Sequence, residues 1–425
     1  MFSVTRRARY LSYGLGLMLL CGGSASAQAS LSLTAALAEA RLNSLGGVQS
    51  VAHIEVMQQR LTQAGALPDP QLSLTLANLP DMHLGLDRDP MSQLQIAYSQ
   101  RLPFPGKRAL QRQEASHQVL AANEQSQAYQ LWLAQQVAYL WWERVYVDQT
   151  LRLNQEEQGL YQRLIDTSQT LYSVGRGQQQ DVLLAQLQAS HLKEQQLGLR
   201  VQARILAAQL NVLMNRAVDT ALDLALIQAQ PLPPAPSLDS VQAMASQHAA
   251  LKSMEADVAS MRSSRDLAEK DRYPDFNVTA VYGLRDGRDD LTTLQVAVNL
   301  PIFAGQKQAR LIDERGAQLM RGRYQLQLAR LEQAAKVTTA HAQYVTARQQ
   351  VALFEDEILV QARQSLDTLL ARYQVNKVDF QALTQAQDVL NQHQTHYWRA
   401  YTQAWQAWAR LHAAAGTSIE EADHE

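Results

Sequence analysis

Hydrophobic and polar residues alternate one by one in four short segments of the chain. The four segments comprise residues 71–79, 93–102, 275–283 and 292–300. In the first of them, Leu72, Leu74 and Leu76 alternate with small or hydroxyl-bearing side chains. A run of about nine or ten residues with this period is typical of a transmembrane β-strand that has one apolar and one polar face. A half-buried strand of a soluble sheet shows the same alternation, so the pattern alone leaves both interpretations open.

The sequence around these segments favours the membrane interpretation. Polar, charged loops at 80–92 and 284–291 separate the two segments of each pair, and no other segment alternates in a way that would extend a soluble sheet. Four strands cannot close a barrel, because single-chain barrels need about eight, and lipid tolerates no open sheet edge. If the strands lie in a membrane, several chains must share one barrel.

The rest of the chain predicts long helices. Apolar residues such as Val137, Leu140 and Val147 recur at spacings of three, four or seven in tracts rich in Ala, Gln, Leu, Glu and Arg. Proline breaks helix interiors, and all 12 prolines lie outside the tracts 106–230 and 302–425. At about 1.5 Å per residue, a helix over 106–173 would be about 100 Å long.

The two halves of the chain repeat one order of elements. Pro103 corresponds to Pro301, and Tyr172 to Tyr373, at an offset of about 200 residues. We therefore predict two structural repeats, 28–230 and 237–425, joined by a proline-rich linker at 231–236. In the first repeat the expected elements are a helix at 31–65, a β-hairpin at 71–102, a long helix at 106–173 and a helix at 178–215. In the second they are a helix at 237–271, a β-hairpin at 275–300, a long helix at 306–373 and a helix at 378–415.

Tryptophan is concentrated in one band of the predicted helices. If the chain turns back at Gly175 and Asn376, five residues lie at a similar height, namely Trp141, Trp142, Trp398, Trp405 and Trp408. We interpret this band as a packed girdle where the helical layer thickens. The alternative is an aromatic box that binds a ligand.

The first 27 residues have the features of a secretory signal peptide. Arg6, Arg7 and Arg9 precede an apolar core at 11–20, and residues 25–27 form an A-x-A cleavage site. The single cysteine, Cys21, lies in a faint lipoprotein-like context, so lipidation remains an alternative. After cleavage the mature chain would have no cysteine, which suits an oxidising envelope compartment.

Charge and motif content exclude several classes of protein. The 38 Lys and Arg residues nearly balance the 40 Asp and Glu residues, which argues against the basic field of a nucleic-acid binder. The sequence has no Gly-rich phosphate loop, no nucleophile elbow and no H-E-x-x-H motif. We therefore expect no enzymatic activity, no catalytic residue, no cofactor and no resident metal site.

The turns between the long and the returning helices carry a repeated motif. The first turn reads Tyr172-Ser173-Val174-Gly175-Arg176-Gly177 and leads to Asp181-Val182-Leu183-Leu184-Ala185. The second reads Tyr373-Gln374-Val375-Asn376-Lys377-Val378-Asp379-Phe380 and leads to Ala386-Gln387. The need for a left-handed residue explains Gly175 and Asn376, but it does not explain the repeated Tyr and Ala-Gln positions.

These motifs resemble the tip motifs of the TolC-like outer-membrane efflux family, and the resemblance covers essentially the whole mature chain. Tyr172, Gly175 and Asp181 match that family's Tyr-x-x-Gly pattern and the Asp-Val-Leu-x-Ala segment that follows it. Two residues depart from the pattern. Asn376 replaces a glycine, and Gln385 replaces an aspartate, which argues against an acidic ring at the second position.

The resemblance implies a mainly α fold with a small transmembrane β part. Long α-helical hairpins would form a coiled-coil tunnel in the periplasm, and four strands from each subunit of a homotrimer would close a shared 12-stranded barrel in the outer-membrane lipid. Members of this family form passive channels that work with a periplasmic adaptor (membrane fusion) protein and an inner-membrane pump of the resistance-nodulation-division (RND) type. The segments 67–72 and 99–107 look most like the subfamily of heavy-metal pumps, which makes heavy-metal cations the expected substrates.

By this resemblance, the functional site lies at the periplasmic tips, where the adaptor docks. The expected site residues are Tyr172, Gly175, Arg176, Asp181, Tyr373, Asn376, Lys377 and Asp379. Among them, Asp181, Lys377 and Asp379 are candidate latch residues whose ion pairs would hold the channel closed. The alternative function is a trimeric envelope adhesin or structural stalk without transport. The duplication argues against it, because a stalk would carry its strands once, at the C-terminus.

Overall fold

The structure, a computed structural model, describes residues 30–80, 85–224, 227–374 and 377–419. Its strands are β1 (Gln71–Ala77), β2 (Gln93–Leu102), β3 (Phe276–Leu284) and β4 (Leu291–Val298). The helices of the first half are α1 (Leu33–Asn43), α2 (Leu45–Ala64), α3 (Lys107–Ser173) and α4 (Gln179–Leu213). Those of the second half are α5 (Leu238–Ala245), α6 (Ala249–Lys270), α7 (Gln308–Leu353), α8 (Leu359–Gln374) and α9 (Phe380–Ala415). The predicted signal peptide, residues 1–27, lies outside the described residues.

The four strands form one antiparallel sheet in the order β1-β2-β3-β4. The register sets even-numbered residues opposite one another across all three pairs, for example Leu74 opposite Ile96 and Ala280 opposite Leu294. Since side chains alternate between faces, most apolar residues of the four strands share one face of the sheet. On the other face, Ser99 hydrogen-bonds Thr279 at 2.9 Å and Asn277 at 2.9 Å. The two-faced strands predicted from the alternation are confirmed.

The central pair of the sheet joins the two halves of the chain. β2 belongs to the first half and β3 to the second, and nine residue pairs align between them, from Leu94 opposite Leu284 to Leu102 opposite Phe276. β1 and β4 are therefore the outer strands, each with one edge that no other described strand covers. Within the described residues, no helix is both long and apolar enough to cross a membrane.

The first long helix is continuous, whereas the second contains a π-helical turn. α3 runs for 67 residues without a break. In the second half, a turn of π-helix at Phe354–Ile358 separates α7 from α8, in place of one regular α-helix. The Tyr397 hydroxyl of α9 donates a hydrogen bond to Glu355 in this turn at 2.7 Å. Such single π turns insert an extra residue into a helix and are frequent at functional positions.

Each opening helix is split in two, which differs from the continuous helices expected at 31–65 and 237–271. Ser44 leaves the helical conformation, and its Oγ accepts the Gly47 N–H of the next helix at 3.2 Å. His248 likewise leaves the helical conformation before α6, and its Nδ1 accepts the Ala250 N–H at 3.1 Å. A side chain that satisfies the free N–H groups of a new helix start makes such a break favourable.

The tryptophans pack together at mid-height, as expected of a girdle. Trp142 stacks on Trp405, with ring centroids 5.2 Å apart, and meets Trp141 edge-on at 4.8 Å. These rings and Trp398 share one buried cluster with Tyr401 and with apolar residues of α1, α3, α4 and α9. Trp408 belongs to the adjoining cluster, where it contacts Tyr344 at 4.9 Å. The packed interpretation is therefore confirmed.

A charged cluster ties the sheet to the helices. Asp275, just before β3, accepts hydrogen bonds at 2.9 Å from the Phe104 N–H and from the side chains of Lys107 and Arg101. The Lys107 side chain is 8% exposed and also pairs with Asp271 at 3.1 Å. Burial opposes ionisation of Asp275, but the hydrogen bonds from Lys107 and the Phe104 N–H outweigh it and hold its pKa below the ordinary value.

We expect Asp275→Ala to lower the free energy of unfolding by about 3 kcal/mol, because it removes one counter-charge from a buried ammonium. The thermal midpoint, followed by circular dichroism in detergent, measures this. Asp313→Asn, an exposed carboxylate on α7, is the control and should change little. Since the pKa of Asp275 is lowered, its contribution is present above pH 3.8 and is lost as the pH falls below that value. Equal losses in the two variants would contradict this role.

Candidate functional site at the helical tips and the open margins

The first tip is a tight turn that depends on two glycines. Gly175 follows the end of α3 with φ of +74°, and the N–H groups of Arg176 and Gly177 both donate to the Leu171 carbonyl, at 2.9 and 3.0 Å. A Cβ on Gly177 would lie 2.9 Å from the Leu171 Cβ. Tyr172 and Arg176 are exposed beside this turn. The sequence identified these residues correctly as a helix-ending turn.

The second tip places Asp379 at the start of a helix. Its Oδ1 accepts the Ala382 N–H at 3.1 Å, which caps α9. The Lys377 N–H donates to the Arg372 carbonyl at 3.0 Å, while the Lys377 side chain is exposed. Asn376, predicted as the turn residue, lies outside the described residues. Asp379 therefore has a structural role that the motif did not reveal.

The two tips meet over a small apolar cluster. Phe380 is buried with Tyr161, Ile165, Ala185 and Leu192, and Tyr373 packs against it edge-on at 6.2 Å. Burial raises the pKa of the Tyr373 hydroxyl, and the Asp181 carboxylate nearby adds to the effect. The structure thus places the Asp181 carboxylate close enough to Tyr373 to influence the ionisation of its hydroxyl.

The predicted latch has no ion pair within one chain. Among the described residues, none forms a salt bridge with Asp181, Lys377 or Asp379. Arg176 is likewise outside every such pair. A latch built from these residues would have to form between subunits, so its existence stays a prediction.

Two helices carry apolar stripes that no other part of the described chain covers, a feature that periodicity alone did not distinguish from a core face. On α4 the stripe residues are 52% to 67% exposed and comprise Leu183, Leu187, Leu197, Val201, Ile205 and Val212. On α7 the stripe comprises Met320, Tyr324, Leu328 and Leu331. Their spacings of three, four, seven or ten residues place each set on one helix face.

The stripes and the open strand edges occur at the same two margins. Near the sheet, α3 contacts α2 on one side and α6 on the other, and α6 contacts α7. Nearer the tips, α3 contacts α4 and α9, and α9 contacts α8. One margin therefore consists of β1, α2 and α4, and the opposite margin of β4, α7 and α8. A second copy of this chain can complete both the sheet and the helical layer at once.

Comparison with known proteins agrees with this geometry. The sequence model of the outer membrane efflux protein family matches residues 241–417. Among solved structures, the fold is similar to the outer-membrane protein VceC of Vibrio cholerae, with a TM-score of 0.76 and 16% identity over 91% of this chain and 96% of that one. It is also similar to CusC, with a TM-score of 0.78 and 14% identity over 92% and 93% of the two chains.

A third similar structure is the open-state MtrE channel of Neisseria gonorrhoeae, with a TM-score of 0.73 and 15% identity over 91% and 89% of the two chains. No protein with a curated description matches the sequence significantly. The fold is that of the helical-tunnel and β-barrel outer-membrane channels. The resemblance to the TolC-like outer-membrane efflux family is thereby confirmed. This family and these neighbours are channels rather than enzymes, in agreement with the expectation from the sequence.

We expect Gly175→Ala to destabilise the first tip by about 1–2 kcal/mol, because an L side chain disfavours the left-handed conformation. No other atom lies within 4 Å of the added Cβ, so backbone strain is the only cost. Gly159→Ala, inside α3 and also free of clashes, should stabilise by about 1 kcal/mol. Hydrogen exchange of peptides over 168–182, measured by mass spectrometry, tests the first change. Unaltered protection in Gly175→Ala would contradict the strained turn.

Proposed function

We propose that this chain is one subunit of a homotrimeric outer-membrane efflux channel that passively conducts substrates from the periplasm to the exterior. The observation that carries the proposal is the coincidence of open strand edges and uncovered apolar stripes at the same two margins. Contacts of this head-to-tail type generate a ring when the rotation closes. The family match and the similar solved channels support the same assignment.

Strand number favours three copies over two. Each chain contributes four strands, so closed barrels are available in steps of four. A barrel of eight strands has an interior just wide enough for side chains to fill it. Twelve strands are therefore the smallest number in this series that leaves an open passage.

The inner face of such a barrel would be mainly polar, and Arg101 at the end of β2 is its charged residue. Once the apolar face contacts lipid, the residues facing the passage are those of the opposite face, such as Ser73, Thr75, Gln95, Thr279 and Gln295. Hydroxyl and amide groups of this kind can hydrogen-bond to hydrated solutes of either charge without binding them tightly. The barrel would therefore transmit what the tunnel delivers, and selection would lie with the partners.

The tips are the proposed docking surface for a periplasmic adaptor protein, which in turn would join an inner-membrane pump of the RND type. The tip residues Tyr172, Arg176 and Lys377 are exposed and available for such contacts. The helical part would then span the periplasm, and the predicted signal peptide would direct export. These finer assignments rest on the family resemblance.

Heavy-metal cations are the proposed cargo, on the strength of the segments 67–72 and 99–107. Part of the second segment has a structural role, because Arg101 and Lys107 bind Asp275 at the junction of sheet and helix. Among the described residues, no three His, Cys, Asp or Glu side chains are arranged to hold a metal ion. Zinc, copper and dye tolerance of a deletion strain, with and without the restored gene, tests the cargo: a loss of dye tolerance alone would contradict metal export.

The carrying observation is tested by Val201→Asp on the α4 stripe. We expect the wild-type protein to be trimeric and to conduct ions in planar bilayers, and the variant to lose both properties, because burying an unpaired charge at an interface is costly. Light scattering after gel filtration gives the subunit number. Gln202→Asp, the adjacent exposed position, should remain trimeric and conducting. A trimer without conductance would instead support the stalk or adhesin alternative.

The proposed latch is tested by comparing two substitutions at Asp379. Asp379→Asn keeps an oxygen that can cap α9 but removes the charge, whereas Asp379→Ala removes both and costs about 1 kcal/mol in helix stability. If the charge closes the tip, both variants and Lys377→Ala should increase single-channel leak conductance. A leak that appears only in Asp379→Ala would show that the cap, and not an ion pair, holds the tip.

A further inference from the structure

A carboxyl group lies in the interior of the helical hairpins, where an apolar side chain is normal. Glu157 on α3 is 4% exposed, and Asn154 and Tyr161, three residues before and four after it, are buried on the same face. This spacing is that of the core positions of a coiled coil. A buried carboxylate at such a position is destabilising unless a cation accompanies it.

The group is held by the other half of the chain. The Asn391 side-chain amide of α9 donates to the Glu157 carboxyl. One turn closer to the tip, the Tyr161 hydroxyl donates to Asp388 Oδ1 at 3.0 Å, and Gln188 Nε2 of α4 approaches the same oxygen at 3.5 Å. We call these five residues, Glu157, Tyr161, Gln188, Asp388 and Asn391, the polar seam. It connects the first helical hairpin to α9 directly above the apolar cluster of the tips.

No fixed cation accompanies the polar seam. A cavity of about 320 Å³ opens beside it between α3, α4 and α9. The titratable groups that face Glu157 there are Tyr161 on its own helix, His191 on α4, and Asp388 and His396 on α9. His191 itself pairs with Glu194 at 3.4 Å. Among the described residues that line this cavity, none is Lys or Arg.

Burial without a cation makes the Glu157 carboxyl retain its proton. Desolvation raises its pKa to about 7, and the nearby Asp388 charge contributes in the same direction. Asp388 is more exposed, and although burial raises its pKa, the Tyr161 hydrogen bond opposes the shift. Below about pH 7 Glu157 is therefore mainly a neutral acid. In mildly alkaline solution two carboxylates face each other across the seam.

We propose that the polar seam is a proton-controlled brace, in which neutral Glu157 holds α9 against α3 and ionised Glu157 releases it. A group that is protonated more readily in the closed arrangement stabilises that arrangement at low pH. Its stabilisation is fully present below the ordinary glutamate value of 4.5 and is lost as the pH rises through about 7. Through the linked apolar cluster, release of α9 would loosen the tip. In the proposed channel, a looser tip would be a wider tunnel entrance. Only this step rests on the proposed function.

Hydrogen exchange of the intact protein tests the brace without reference to transport. Peptides over 154–165 and 380–396 are followed by mass spectrometry at pH 5.5 and 8, with rates corrected for intrinsic exchange. In the wild-type protein we expect the opening equilibrium of these segments to increase on the order of tenfold at the higher pH. In Glu157→Gln, which is neutral at both values and of the same size, the increase should disappear. Glu156→Gln, the adjacent side chain that is 65% exposed, should behave like the wild type.

A second variant separates the charge pair from the fold. Asp388→Asn keeps an oxygen for the Tyr161 hydroxyl and removes the facing charge, so the pH at which the segments open should decrease. An identical pH dependence in the wild type and in Glu157→Gln, or none in the wild type, would overturn the brace. The conductance of the wild type should be higher at pH 8 than at pH 5.5, whereas that of Glu157→Gln should be the same at both values. If no variant conducts at all, the proposed function fails while hydrogen exchange still decides the inference.

Discussion

The proposed channel depends on one constraint, which is that a sheet edge in lipid must not be left unpaired. β1 and β4 each carry a row of backbone N–H and C=O groups that no other described strand satisfies. In hydrocarbon, each such group costs several kcal/mol. The same margins carry the apolar stripes of α4 and α7, so the sheet and the helices impose one requirement on the chain. In the proposed trimer, this surface is completed by further copies of the chain.

Local patterns predicted most elements, because each depends on nearby residues. Alternation identified the four strands, and the absence of proline identified the long helices. The helix breaks at Ser44 and His248 were missed, because a side chain that caps a new helix competes with an apolar period that continues unchanged. The π-helical turn was also invisible, since the period of the helix hardly changes on either side.

The site was predicted less completely than the fold. The tip glycine followed from turn chemistry, but the motif that predicts Asp379 as a latch residue did not reveal that it also caps α9. Glu157 was not among the predicted site residues, because its burial depends on α9, which lies more than 200 residues later. A single-helix period records which residues share a face, and it does not record which distant element covers that face.

Two carboxylates illustrate how the same chemical group acquires opposite roles. Asp275 is surrounded by Lys107, Arg101 and a backbone N–H, which favour its charge and fasten the sheet to the helices. Around Glu157, burial and the Asp388 carboxylate favour the neutral form and outweigh the Asn391 hydrogen bond, which favours the charged form. The first arrangement is a permanent fastening over the physiological range. The second responds to the pH of its surroundings.

The pairing of β2 with β3 also determines how the protein can be made. Residues that face each other in this pair, such as Tyr98 and Ala280, lie about 180 positions apart in the chain. Ribosomes add about 5–20 residues per second, so the first hairpin exists for many seconds before its neighbour has been synthesised. During that time one edge of β2 is unpaired and the apolar face of the hairpin is uncovered. The first hairpin therefore cannot complete its sheet before the second is present, and in the proposed channel the chain must be kept from aggregating until then.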